Sequence, residues 1–216
     1  MGNGEDLRFG ELPLAQTVEA AAAMRRLTGM LVSLEQSNAV VDTMLAQFAD
    51  WERQLAPAVP ADSSPRMGTD DDTKRVYLQR AIDIGTYNPC FPEYQFDEIG
   101  AETASGRVSF PVNYEGPPGL VHGGFLGVFF DCVIQQHSCA VGRAGYTRSL
   151  TISYRRPTPL DTELRFDIAR TEDDGGINAT GRLVLGDTVL AIGTADTVAM
   201  PSDRMAANRF GQRRTG

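Results

Sequence analysis

The chain has 216 residues, 42% apolar and 22% charged, enough for one domain with a real core plus an extension, and these proportions exclude disorder throughout. A formal net charge of −8 argues against a nucleic-acid partner, because phosphate binding needs a basic face. The three cysteines, Cys90, Cys132 and Cys139, have no CxxC spacing, which argues against a disulfide framework and against a zinc site.

Met1 to Gly10 lacks the apolar core of a signal peptide, and no uncharged apolar run is long enough to span a bilayer. The expected location is therefore the cytoplasm, with no membrane partner. From Leu14 to Leu55 the chain is rich in Ala, Leu and Met, with no Pro and one Gly. Leu27, Leu31 and Leu34 recur at helical spacing, as do Met44, Phe48 and Trp51. One long helix or two are expected, broken near Ser37 and Asn38. The basic face of a DNA-reading pair is missing, so this stretch reads as an extension packed on the main domain or on a partner subunit. Pro57 to Asp72 reads as a linker.

After Tyr87 the period becomes two. Val108, Phe110 and Val112 alternate with Arg107, Ser109 and Pro111; Leu150, Ile152 and Tyr154 form a second such run; Leu164, Phe166 and Ile168 form a third. Each predicts a half-buried strand. Further strands are expected near Tyr94 to Ile99, Asn178 to Leu185 and Thr188 to Val198. Asp174-Gly175-Gly176 and Gly186-Asp187 read as hairpin turns. The short basic tail, with Arg204, Arg209, Arg213 and Arg214, reads as a frayed terminus. The expected partition is a helical extension and linker over 1–75, the main domain over 76–200 and a tail over 201–216.

Gly123 to Val141 is different in kind. It is apolar on every side as far as Gln135, apart from Asp131, so it predicts a helix buried all round. Two strands, one engulfed helix and four more strands make an α+β hotdog arrangement, a curved antiparallel sheet wrapped around a central helix. An unpaired carboxylate inside such a helix costs several kcal/mol. Asp131 is therefore either functional or held by hydrogen bonds, with Gln135 one turn on as a partner.

Upstream, Glu115-Gly116-Pro117-Pro118-Gly119-Leu120-Val121-His122-Gly123-Gly124 makes a tight loop ending at the helix start, where free N–H groups can hold an oxyanion. Asp131 lies eight residues beyond Gly123, roughly 12 Å along a helix. If both act on one carbonyl, they belong to different subunits, which predicts a homodimer or homotetramer with sites at the interface.

The loop, then Asp131, then Thr147-Arg148-Ser149-Leu150-Thr151-Ile152-Ser153-Tyr154-Arg155-Arg156-Pro157 resemble the hotdog acyl-CoA thioesterases of the phenylacetate-pathway type. The resemblance covers about residues 86 to 200. It implies an acyl-CoA thioesterase in which Asp131 is base or nucleophile, the Gly123 and Gly124 amides polarise the carbonyl, and Thr147 helps place the water. Because Thr147 alternates out of phase with Leu150 and Ile152, using all three requires a bulge. His122 is expected to orient the loop or cap the helix, and His137 to be structural or to line an acyl pocket. Arg148, Arg155 and Arg156 are candidates for the CoA phosphates, and Gln135 for a polar contact with substrate. Phe125, Phe129 and Phe130 suggest a roomy apolar pocket or core packing. No cofactor and no metal are expected. One departure stands out: relatives often carry Asn or Gln where this chain has Gly116, and Asn113 is three residues too early to replace it. That motivates a second reading, a CoA- or lipid-binding protein without turnover; an enoyl-CoA hydratase would need an Asp/Glu–His motif that is not found.

Overall fold

A computed structural model describes residues 13–59, 83–143, 145–173 and 176–199. The proposed tail, most of the linker, and Asp174 and Gly175 of the first hairpin turn lie outside them. Helix α1 spans Ala15–Val32 and α2 spans Ala39–Leu55. The break falls where expected, because the Asn38 side chain accepts the Val40 N–H and caps α2. A four-residue helix α3 (Ile84–Tyr87) then leads to the strands β1 (Tyr94–Ile99) and β2 (Thr103–Val108). The long helix α4 (Gly123–Ala140) follows, and then β3 (Gly145–Tyr154), β4 (Leu164–Asp173), β5 (Gly176–Leu185) and β6 (Thr188–Ala199).

The strands form one antiparallel sheet in the order β1-β2-β4-β5-β6-β3, which leaves β3 as an edge. The alternation of Leu164, Phe166 and Ile168 lands all three on the inner face, each at most 2% exposed. Asp173 opposes Gly176, so two residues close that hairpin; Gly186, at φ 57°, turns the next. The expected strand through Val108, Phe110 and Val112 is displaced: β2 ends at Val108, and Val112 belongs to a short 3₁₀ turn. Pro111 has no N–H to extend a ladder, and Phe110 enters the core from beyond the strand end.

Helix α4 lies against the inner face with Leu126, Phe129, Phe130, Val133, Ile134 and His137 buried. The expectation of burial all round needs correcting. Gly124 is exposed, and Gly127, Val128, Asp131 and Gln135 are half-buried in a stripe beside edge strand β3. The sheet ends there, so that side of the helix has no second strand to cover it. Phe129 and Phe130 are core residues with no exposed surface, not pocket walls. His137 is also fully buried; its Nε2 lies 2.8 Å from the Gly100 carbonyl and burial lowers its pKa, which fits a structural role.

The extension docks through α1. Arg25, only 6% exposed, donates from Nη1 to the Gly85 carbonyl at 2.7 Å and places Nη2 2.6 Å from Glu93 Oε1. Asn113 donates to the Arg25 carbonyl at 2.9 Å, so it serves this docking and is not turned to the loop ahead of α4.

Beside this joint Asp83 caps α3 through Gly85 N–H and accepts from the Tyr94 N–H and the Thr86 hydroxyl. Burial outweighs these donors and pushes its carboxyl up to about 6. The folded state therefore holds this proton more tightly than the unfolded chain, whose pKa is near 3.8. The resulting stability is complete below pH 3.8 and is lost as pH rises through about 6. Carbon-13 NMR of the Asp83 carboxyl is expected to show that midpoint; ordinary titration near 4 would contradict the burial.

Candidate active site

The lone charge of α4 is held by one neighbour. Thr147 Oγ1 donates to Asp131 Oδ1 at 2.8 Å, while Gln135 Nε2 donates to Thr147 Oγ1 at 2.7 Å. A hydroxyl has a single proton; with Gln135 donating into its oxygen, that proton is directed to Asp131. Gln135 thus acts through Thr147 and makes no direct bond to Asp131, which replaces the expected i,i+4 contact. Asp131 Oδ2 has no protein donor among the described residues, and the residue is half-buried. One oxygen is fixed and the other is left to solvent or substrate.

Thr147 reaches Asp131 because β3 carries a bulge. Thr147 opposes Thr197 and Ser149 opposes Asp196, so Arg148 is an extra residue in the ladder. The bulge resets the alternation, and Leu150 and Ile152 still pack against the core. It also turns Arg148 outward, where Asp196 receives both its Nε and Nη2. Arg148 is therefore already engaged in a cross-strand ion pair. Arg155 and Arg156, just past the end of β3, are exposed and have no carboxylate partner among the described residues.

At the other end of α4 the loop is closed by a bridge between Glu115 and Val121 and by Gly116 N–H donating to the Leu120 carbonyl. Gly119, at φ 76°, donates its N–H to Glu115 Oε1 at 2.7 Å. Gly116 is required sterically, since a Cβ there would meet His122 Cα at 2.8 Å and His122 Cβ at 2.9 Å. A loop amide could not be placed at this position without moving His122.

His122 is the N-cap of α4. Its Nδ1 accepts the Gly124 N–H at 3.0 Å, so that nitrogen carries no proton. The Gly124 amide, expected as a second oxyanion donor, is engaged in this cap. The Gly123 N–H has no acceptor among the described residues and is left as the free donor at the positive end of the helix. The residue that sequence reasoning missed is Tyr154, whose hydroxyl donates to the Gly123 carbonyl at 2.9 Å. A Cβ on residue 123 would meet that hydroxyl at 2.9 Å, which accounts for the glycine. Its sequence signals were its position at the end of a strand and its place in the Tyr154-Arg155-Arg156-Pro157 run that carries the resemblance.

Cys132 and Cys139 are free, half-buried thiols whose surroundings disfavour the thiolate. Burial, with the Asp131 charge second, pushes the Cys132 thiol up to about 12, and burial also raises Cys139.

No family model matches the chain. Among solved structures, a thioesterase superfamily protein superposes with a TM-score of 0.71 at 24% identity, over 88% of this chain and 98% of its own. The fold is the hotdog fold. A phenylacetic acid degradation-related protein of Ralstonia eutropha matches 49% of this hotdog chain and 84% of its own, at 22% identity and TM-score 0.46. A Streptococcus mutans protein bound to acetyl CoA matches 52% and 92%, at 15% identity and TM-score 0.49. The first match covers more than the hotdog part alone could supply, so the likeness reaches into the helical extension as well. Among the described residues no helix is long and apolar enough to cross a membrane.

Proposed function

We propose that this protein hydrolyses acyl-CoA thioesters at sites shared between two copies of the chain. The observation that carries the reading is the half-buried Asp131 carboxylate, fixed on one oxygen by Thr147 and open on the other. A water held by Oδ2 gives its proton to Asp131 and attacks the thioester carbonyl carbon. The oxyanion is held by the Gly123 N–H of the other copy; the C–S bond then breaks and the thiolate takes the proton back.

Edge strand β3 supports the two-copy arrangement. Within one chain, Thr147 marks the position of Asp131 along β3 and Tyr154 marks that of Gly123, near opposite ends of the strand. The outer backbone groups of β3 have no strand partner in the sheet order. Antiparallel pairing of two such edges about a twofold axis brings the Thr147 end of one against the Tyr154 end of the other. Asp131 of one copy then faces Gly123 of its partner. Exposed Arg155 and Arg156, adjoining Tyr154, are the cations nearest this junction for CoA phosphates.

Complementation tests the arrangement. Gly123→Pro deletes the one free amide while suiting the first position of a helix, and His122 at ψ 129° already has the conformation that precedes proline; the added Cβ displaces only the far end of the exposed Tyr154 side chain. Asp131→Asn and Gly123→Pro are each expected to be inactive. Unfolded and refolded together, they should recover about a quarter of wild-type activity, because half of the dimers are mixed and each mixed dimer has one intact site. No recovery in verified mixed dimers would place both groups in one chain and end the two-copy reading.

Thr147→Val keeps the shape of the side chain and removes its proton. The lost bond to a charged group corresponds to about 1.5–3 kcal/mol, so kcat should fall about 10- to 100-fold, with KM little changed and Thr147→Ser restoring most of the rate. An unchanged kcat would separate Thr147 from catalysis.

The capped Gly124 amide and the bare Gly116 leave a single backbone donor, which favours one competing reading, CoA binding without turnover. Calorimetric binding of CoA with no thiol release from any acyl-CoA would select it.

A further inference from the structure

The two N-terminal helices carry the same narrow apolar seam. On α1 it runs through Ala20, Met24, Leu27 and Leu31 to Leu34 just past the helix end; on α2 it runs through Val41, Met44, Phe48, Trp51 and Leu55. The spacings alternate between four and three. That is the a/d repeat by which one helix packs on another, narrower than the stripe a helix lays on a globular core. In α1 the seam lies about a third of a turn around the helix from Ala21 and Arg25, the two buried residues, and so faces away from the joint with the domain. Met24 is 55% exposed, Trp51 49% and Leu55 64%. The Phe48 and Trp51 rings lie 5.7 Å apart, so the α2 seam includes an aromatic pair.

Within one chain these seams are covered only in part: Leu31, Val41, Met44 and Phe48 are half-buried, the other seam residues within the two helices are exposed, and none is buried. Helix α2 has no buried residue and packs closely only on the short turn that continues it, and α1 and α2 are not packed against each other. A 17-residue helix standing alone in water is marginally stable. Two helices with matching repeats, held apart in one chain, fit the same two helices of another copy. A lipid surface fits less well: α2 carries Asp42, Asp50 and Glu52 against a single Arg53, whereas helices that bind anionic membranes are rich in Lys and Arg. The likeness to one solved structure also extends into this region, so the helical extension is shared with that protein.

We propose that the α1–α2 extension is an interface between copies of this chain, its seams closing into a small helical bundle that covers Trp51. The inference is independent of the thioesterase reading.

Trp51 is the sole tryptophan, so its fluorescence reports this surface alone. The full chain is followed by light scattering while Trp51 is quenched with acrylamide. Quenching of the oligomer is expected to be several-fold weaker than that of free indole, with blue-shifted emission, and dilution to single chains should remove the protection. The double variant Phe48→Glu/Leu55→Glu should expose Trp51 at all concentrations while the hotdog domain melts as before, and Ala46→Glu, on the opposite face of α2, should change nothing. Free quenching of Trp51 in the undiluted oligomer overturns the proposal. So does protection that survives in single chains, which would mean that another part of the same chain covers the seam. Protection that appears only with phosphatidylcholine/phosphatidylglycerol vesicles overturns it in favour of a membrane.

Discussion

Asp131→Asn is expected to lower kcat for acyl-CoA hydrolysis by about 10²- to 10⁴-fold while the protein stays folded. The amide has the volume of the carboxylate, and its oxygen can still accept the Thr147 hydroxyl proton, so packing and the Gln135–Thr147 contact survive. What disappears is the basic oxygen at Oδ2. Because the residue is half-buried and Oδ2 has no protein donor, the exchanged group can meet water and leaves no buried polar atom stranded. The melting temperature should therefore move little. Thiol release from aliphatic and aromatic acyl-CoAs, run on wild type beside the variant, separates the outcomes. A variant that hydrolyses at the wild-type rate removes Asp131 from the chemistry, whatever its effect on KM.

What the sequence revealed follows from the range of the interactions concerned. The strand through Leu164, Phe166 and Ile168 was legible because alternation is local and one face is buried. The break at Asn38 was legible because a cap is local too. The half-open stripe of α4 was not, since Gly127, Val128 and Cys132 look as apolar as Phe129; only the sheet order makes β3 an edge. Arg148 offered itself for phosphate because its partner Asp196 is 48 residues away, beyond any local pattern. The burial of Arg25 is equally hidden, its acceptor lying 60 residues downstream. At the site, Asp131 was readable as the lone charge of its helix, and the resemblance supplied Thr147 and with it the need for a bulge; the contact between the two residues appears only in the structure. The diversion of the Gly124 amide onto His122 was not readable, because a glycine pair after histidine looks the same whether its amides are free or capped.

Phe129→Ala is expected to remove about 3–5 kcal/mol of stability, measured by urea unfolding, a large fraction of the roughly 5–15 kcal/mol typical of a domain. Phe129 has no exposed surface and meets Tyr94, Phe110, Phe130 and Phe166 ring to ring, at centroid distances of 6.0, 5.5, 5.3 and 5.5 Å. Those rings come from β1, the segment after β2, α4 and β4, so the cavity would open where four parts of the chain converge. Phe129 and Asp131 are two residues apart, about 200° around α4, and so lie on nearly opposite sides of it. One side of the helix holds the sheet together and the other presents the carboxylate. The two substitutions should therefore separate cleanly: Phe129→Ala costs stability, and the fraction that remains folded hydrolyses normally, whereas Asp131→Asn does the reverse. Should Phe129→Ala cost under about 1 kcal/mol, the ring cluster is not the centre of the core, and the division of α4 into a packing side and a chemical side fails with it.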